Sequence, residues 1–429
     1  MKLLTKYQRK SIFSFLCLSG FFISHSFSGH GQTEQSLYSL NISGNEKTKT
    51  SYLKRFIYTR PGDQYDSATI NEDLRRLRTL PPVMDARAVT EQSDSGMMID
   101  YKIVERITML PVGDFGITND NFWLGIGAME SNLGGRGMYA YGFYRYNTDH
   151  TIHLIFRNPY LSGSKWGIEC EVKNLPVTEF VRTDTLLKHQ FTDLGLSGKY
   201  ELRFENDLHF GLSFRFQSAE YTIDDEGYTR KENLGVRLSL VPFAKWDIRK
   251  LDLVHFYISG WENNLYLEAA IPFSGDNTSV LLFYNEFRYY KRFAGKGNLA
   301  FRSLAGLSNE EYTVFSPFIA DSYYNFRGIG YRAYKGNTLG LINLEYRQTV
   351  FENYLGGIQT IAFMDSGVLL NNEYTVTDSG FDRGIFTFAG IGARFIFIRA
   401  YNAILSIDYG MDMQNLGNGG WVFGWGQYF

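Results

Sequence analysis

Cysteine is nearly missing from this sequence of 429 residues: Cys17 and Cys170 are the whole supply. Two thiols exclude a disulfide framework and a cysteine-rich metal site. A basic surplus is missing too. Lys plus Arg number 43 against 45 Asp plus Glu, a formal net charge of −2. That balance argues against a protein that neutralises phosphates, so no nucleic-acid partner is expected. Long apolar runs are absent: beyond the first 31 residues no stretch of 18 uncharged apolar residues occurs. If the mature chain sits in a membrane, it cannot do so as helices. Catalytic signatures are lacking as well. There is no Gly-x-Ser-x-Gly elbow and no P-loop. Gly328-x-Gly330-x-x-Ala333 has no βαβ context. The seven His are scattered, and His150 and His153 fall on opposite faces of a strand region. Asp224-Asp225-Glu226 reads as a solvated hairpin tip. No catalytic group, no metal site and no cofactor is expected, and the protein is read as a non-enzyme.

What is present points to strands. Aromatic residues make up 17% of the chain and glycine contributes 43 residues, a mixture that favours sheet over long helices. A hydrophobic fraction of 44% is that of a folded chain. The length fits two or three domains, or one large barrel plus a small domain.

The first residues read as an address. Lys2, Lys6, Arg9 and Lys10 precede an apolar run over 12–23 and small residues up to Gly31. This is the build of a secretory signal peptide, assigned to residues 1–31 with cleavage between Ser26 and Gln32. Its removal would take Cys17 and leave Cys170.

A small α+β domain is expected over 36–107, in the order β-α-α-β-β. Residues 38–42 alternate, Gly44-Asn45 turns the chain, and 48–58 has helical spacing. Asp66 is placed as an N-cap for a second helix with Ile70, Leu74, Leu77 and Leu80 on one stripe. Pro81-Pro82 stops it, and 83–91 pairs with 97–105.

From 115 to 429 the pattern is that of an outer-membrane β-barrel: alternating segments of about 10 residues between Gly, Asn, Asp and Ser. Strands are expected to begin at Phe122, Arg136, Thr151, Ser164, His189, Asp207, Lys231, Asn263, Ser279, Lys296, Thr338, Gly357, Ile385, Arg399 and Gly419. Those are fifteen, and single-chain bacterial barrels have an even count. The sixteenth is sought in 244–258 or 312–319. Parity supports the reading. In 338–350, Ile342, Leu344, Tyr346 and Val350 share one face, while Asn343, Glu345 and Arg347 share the other and must face a lumen. In 401–409 the apolar face carries a Tyr at each end, as an interfacial girdle does.

Local motifs then carry two resemblances. Ile42-x-Gly44-Asn45, Pro61-Gly62-Asp63, Tyr65-Asp66, Leu74-x-x-Leu77 and Tyr101-x-Ile103-x-Glu105 resemble the polypeptide-transport-associated (POTRA) domain. The barrel half resembles the BamA–TamA superfamily of POTRA-barrel proteins. The matching segments are Asn132-Leu133-x-Gly135-x-Gly137, Asn158-Pro159-Tyr160-Leu161-x-Gly163, Phe326-Arg327-Gly328 and Phe363-x-Asp365-x-Gly367, with Glu345 on an inward row. The stretch from Trp421 to Phe429 resembles the last strand that barrel-assembly machinery recognises, with Gln427 where an aromatic is usual.

The resemblance implies a loop folded back into the lumen with Arg327 at its tip, flanked by Phe326 and Gly328. A buried guanidinium needs partners, and carboxylates bind it through paired hydrogen bonds. Asp365 is the first candidate and Glu345 the second. The motif departs at Ile329, where an aromatic is usual. The resemblance also implies outer-membrane assembly or translocation of client proteins, with the POTRA domain in the periplasm binding clients by strand addition. Outer-membrane lipids and barrel-assembly components are the other implied partners. A weak lateral seam is expected between the first and last barrel strands. It is placed at Phe122 and Gly125 on one side and at Gly424, Gly426 and Phe429 on the other, because glycine weakens strands. The alternatives are a two-partner-type secretion pore for one dedicated partner and a passive outer-membrane channel.

Overall fold

The computed structural model describes residues 36–370 and 385–429, apart from 94–95, 119–120, 148, 183–184, 226–227, 275–277, 311–314 and 331–333. The expected signal peptide lies outside the described residues, as do Glu226 of the acidic tip and Ala333 and Tyr331 near the loop motif.

The small domain has a three-stranded sheet and two helices. Strand β1 (Leu37–Ser43) runs parallel to β3 (Gly96–Glu105), and β2 (Val83–Ser93) runs antiparallel on the other side of β3. Helix α2 (Ser67–Arg78) starts where sequence spacing places it, because Asp66 accepts from the amides of Ala68 at 2.9 Å and Thr69 at 3.2 Å. Its stripe of Ile70, Leu74 and Leu77 packs with Leu53, Ile57, Val83, Ile99 and Tyr101 in one buried core. Each such side chain is worth roughly 1.5–3 kcal/mol on burial, so apolar packing, not surface ion pairs, holds the domain together.

The first helix is shorter than the 48–58 expected. Helix α1 (Thr50–Leu53) gives way to a 3-10 turn over Lys54–Phe56. Both ends are claimed by other partners. The amides of Lys47 and Thr48 donate to Glu105 at 2.9 and 2.7 Å. Those of Tyr58 and Thr59 donate to Asp73 at 2.7 and 3.1 Å. Asp73 is fully buried on α2 and also accepts from the hydroxyls of Thr59 at 2.6 Å and Tyr101 at 3.0 Å.

The rest of the chain forms one sheet of sixteen strands, each antiparallel to the next. In chain order they are β4 (Met109–Thr118), β5 (Asn121–Leu133), β6 (Met138–Asn147), β7 (Asp149–Asn158), β8 (Trp166–Arg182), β9 (Thr185–Arg203), β10 (Asn206–Asp225) and β11 (Tyr228–Val254). Then come β12 (Tyr257–Ser274), β13 (Val280–Arg292) and β14 (Gly297–Ser308). The chain next leaves the sheet for a long loop holding a two-stranded ribbon, β15 (Phe318–Ala320) with β16 (Tyr334–Gly336). It rejoins as β17 (Thr338–Glu352), which pairs directly with β14, and finishes with β18 (Gly356–Leu370), β19 (Ile385–Phe397), β20 (Ile404–Asp412) and β21 (Gly419–Trp425). Alternation is visible on β17, where Ile342, Leu344 and Tyr346 are exposed on the outer wall and Asn343, Glu345 and Arg347 are fully buried inside.

The missing strand is β4, not 244–258 or 312–319. Residues 244–254 are the second half of the 27-residue β11. Of 312–319, the described residues supply only the beginning of β15. Strand β4 hides in sequence because Pro111, Gly113 and Gly116 break its pattern. Pro111 has no N–H to give to a ladder, which a strand at one end of the sheet tolerates, and β4 is such an end. The barrel therefore begins at Met109 rather than 115.

Asp73→Ala should loosen the small domain by roughly 3 kcal/mol, since it strands several buried donors at once. Limited proteolysis of the full chain in urea reads this. Asp66→Ala should cost about 1 kcal/mol at neutral pH. The Thr69 hydroxyl and Ala68 amide hold the Asp66 carboxyl below its usual value. Its contribution is therefore present above the ordinary carboxylate range and is lost as the pH falls through the lowered folded-state value.

Candidate functional site in the barrel lumen

The loop between β14 and β17 folds on itself before it meets the wall. The amides of Asn325 and Phe326 donate to the Asp321 carbonyl at 3.0 and 3.1 Å, and Ser322 donates to Gly330 at 2.9 Å. Phe326 is fully buried against Phe386, among Ala320, Leu339, Leu341 and Leu369. Ile329 packs on the edge of the same cluster, where the family motif has an aromatic. Gly328 has φ +97°, and a Cβ there would lie 2.3 Å from the Gly410 carbonyl oxygen on β20. The tip is thus seated backbone against backbone, which only glycine allows.

Arg327 is fully buried. Its Nε and Nη2 donate to the two oxygens of Asp365 on β18, both at 2.9 Å, and its backbone N–H donates to the same carboxylate at 3.0 Å. Nη1 donates to Glu345 on β17 at 2.5 Å. The guanidinium lies between two rings, 3.6 Å from the centroid of Phe363 and 4.2 Å from that of Tyr428. Asp365 also accepts from Asn343 at 2.7 Å. Gly367 completes the Phe363-x-Asp365-x-Gly367 segment by leaving room for the Phe326 ring, 2.9 Å from where its Cβ would be.

Two more arginines extend the cluster: Arg347, which parity placed on the inward row, and Arg394, which sequence reading had not singled out. Arg347 on β17 donates to Glu345 at 2.6 Å and to the Phe429 carbonyl at 3.0 Å. Arg394 on β19 grips Asp408 on β20 through two bonds of 2.6 and 3.0 Å and donates to Gln427 at 3.3 Å. Three guanidiniums thus face three carboxylates in the described lumen cluster. The available signal was parity: Arg347 shares the inward row of Glu345, and Asp408 lies on the polar face of its strand. The final residues explain why Gln427 is not aromatic. Strand β21 ends at Trp425, Gly426 turns with φ +93°, and 427–429 enter the lumen. Gln427 reaches Arg394, Tyr428 covers Arg327, and Phe429 packs with Tyr290 and Ala300.

The expected seam needs correction on both sides. Phe122 and Gly125 belong to β5, whose neighbours are β4 and β6. They are interior to the sheet because the first strand is one earlier than expected. Gly424 lies in the edge strand β21, opposite Ser406. Gly426 has left that strand, with its amide still donating to Ile404, and Phe429 is buried in the lumen. The two ends of the sheet are β4 and β21, and among the described residues no ladder joins them.

The two early barrel motifs have a different use: they seat the small domain. Asn132 donates to Thr48 at 3.0 Å, Lys49 donates to Gly135 at 2.8 Å, and a Cβ on Gly137 would strike the Tyr52 ring. Tyr160 lies under the Arg55 guanidinium at 3.9 Å, and Arg55 also bonds the Gly163 carbonyl. Arg75 pairs with Glu205, Arg78 with Asp252 at 2.9 Å, and Arg76 covers Phe204.

Comparison with known proteins matches this architecture. Residues 38–106 fit the POTRA family model, described as a surface antigen variable number repeat. The outer membrane protein assembly factor BamA of Nitratidesulfovibrio vulgaris is 24% identical over 353 residues, covering 76% of this chain and 43% of that protein. The chain thus spans less than half the length of that relative. Two solved structures share the fold. BamA from Haemophilus ducreyi lacking POTRA domains 1–3 has a TM-score of 0.53 and 15% identity, covering 91% of this chain and 83% of that one. CdiB from Escherichia coli has a TM-score of 0.56 and 14% identity, covering 89% and 73%.

Asp365→Ala should leave Arg327 with a buried, half-paired charge, at a cost on the order of 3–5 kcal/mol. The barrel should unfold at lower temperature on unboiled gels, and trypsin should reach the loop. Arg327→Lys should behave similarly, because an ammonium cannot make the paired bonds.

Proposed function

We propose that the chain is a POTRA-barrel protein of the BamA–TamA superfamily that assembles or translocates client proteins at an outer membrane through a lateral seam. The observation that carries the reading is that, among the described residues, no ladder joins β4 to β21 in a sheet whose other neighbours all pair. Unpaired strand edges are templates for another strand. A client hairpin can add to them and bury its apolar face in lipid, so its own folding supplies the driving force.

In this reading the barrel lies in the outer membrane, with lipid against outer-wall residues such as Ile126, Leu194 and Phe210. The POTRA domain stands in the periplasm. Its edge strand β2 accepts extended clients by strand addition. Arg327, Gly328, Phe326, Asp365 and Glu345 pin the loop and keep the lumen from acting as an open channel. The edge strands themselves are suited to the task. Strands β4 and β21, with β20 beside the latter, have 10, 7 and 9 residues, against 17–27 for β8 to β12. About 9–11 residues span a bilayer, so the wall is at its minimum height where clients would enter. Components of a barrel-assembly complex are the expected further partners.

Two experiments test this. The first is depletion followed by a census of outer-membrane and secreted proteins. Loss of several barrel proteins supports assembly, loss of one exported protein supports a dedicated secretion pore, and an unchanged census overturns both. The second is a disulfide scan between β4 and β21 in a Cys170→Ser background. A cross-linked seam should block client insertion until it is reduced, and unaffected insertion overturns the lateral route.

A further inference from the structure

Three linker residues separate the POTRA domain from the barrel, and each faces a different body. The Arg106 amide donates to the Pro82 carbonyl at 2.9 Å, and its Nε donates to Val83 at 3.0 Å, so Arg106 belongs to the POTRA domain. The Thr108 carbonyl accepts from Ser131 at 3.2 Å, so Thr108 belongs to the first barrel hairpin. Ile107, between them, forms a one-residue parallel bridge with Ala400 in the turn between β19 and β20. Its N–H donates to the Arg399 carbonyl at 2.7 Å, and its carbonyl accepts from the Tyr401 amide at 2.9 Å. The Arg106 guanidinium also stands 5.8 Å from the Tyr401 ring.

We propose that Ile107 is a clasp across the base of the seam, and that POTRA movement opens or closes the seam through it. The proposal deepens the lateral-seam reading and rests on it. The chain runs straight from Ile107 into β4, one end of the sheet, while residues 399–401 form the turn into β20, the strand beside the other end, β21. Strand β21 cannot do this work, because 427–429 turn into the lumen. Among the described residues, the backbone bonds between the linker and residues 399–401 are those that tie the base of β4 to the far side of the sheet. A client that draws the POTRA domain away pulls Arg106, then Ile107, and releases the base of β4. Conversely, a docked POTRA domain, held by Arg55, Arg75 and Arg78 on the barrel turns, keeps the clasp shut.

The clasp is made by backbone atoms, and the Ile107 side chain is 54% exposed. This gives a discriminating pair of variants. Ile107→Pro removes the donor N–H, whereas Ile107→Ala keeps it. Both are made in the full-length chain, and amide exchange is followed in lipid nanodiscs. Ile107→Pro should speed exchange in β4 by about tenfold, the effect of losing a backbone hydrogen bond that holds an edge. Ile107→Ala should match the parent. Equal exchange in Ile107→Pro and the parent, or equal acceleration in Ile107→Ala, overturns the clasp.

A second arm does not depend on the proline variant folding. An Ile107→Cys/Ala400→Cys pair in the Cys170→Ser background locks the base when oxidised. Slower β4 exchange and blocked client insertion, both restored by reductant, are the expected results. If that lock leaves insertion intact while a β4–β21 disulfide blocks it, the clasp fails and the lateral seam stands. If neither lock has an effect, the seam reading fails with it.

Discussion

A fully buried guanidinium organises the C-terminal half of this barrel. Arg327 cannot be left unpaired away from water, and a loop tip has no carboxylate of its own to offer it. Two neighbouring strands supply them, Asp365 from β18 and Glu345 from β17. Once the tip is inside, every group near it is constrained. Gly328 must lie against Gly410, Phe326 must fill the cluster under Gly367, and Phe363 and Tyr428 must stack on the cation. Replacing such a cluster with apolar side chains could be neutral for stability, while breaking it from one side is costly. Its use is to specify one position for the loop.

The same cluster decides which part of the barrel is rigid. Contacts of the tip and of Arg347 and Arg394 reach β17, β18, β19 and β20, and the residues after β21. The last five strands are therefore stapled from within. Strands β8 to β12 are braced differently, by their length and by the docked POTRA helix at their turns. Strand β4 has neither support, and it carries Pro111 and two glycines. The weak junction sits where the two braces both stop.

Much of this was legible in sequence because outer-membrane strands obey parity. The inward row Asn343, Glu345, Arg347 is readable without coordinates, and so is the pairing of Arg327 with a carboxylate once a lumen is assumed. Strand β4 was not legible, because proline and glycine at an edge erase the alternation that identifies a strand. The inward turn of 427–429 was also hidden. Trp421, Phe423 and Trp425 read as a strand, and nothing local says that it stops there; the stop is set by Gly426 and by partners remote in sequence, Arg394 and Arg347. The glycine-rich turn and the Asn-Pro-Tyr segment were recognised as motifs, but their purpose, a seat for Tyr52 and Arg55, depends on a contact between domains.

That last point bears on how one POTRA domain can act on a barrel. Its core is built from its own buried side chains, with Tyr160 and Phe204 of the barrel packed against the edge of it. Its attachment combines ion pairs with aromatic contacts: arginines on α2 and the 3-10 turn meet Glu201, Glu205 and Asp252 near barrel turns, and Tyr52, Phe56 and Tyr58 pack on Tyr160 and Phe204. The ion pairs keep some contact with water, with side chains 7–22% exposed against 0–2% in the lumen cluster, so salt screens them more than it screens that cluster. Of the two contacts the seat of the domain is therefore the easier to loosen, while the loop stays fixed. Mobility is assigned to the side of the molecule where charges remain in contact with water, and rigidity to the side where they do not.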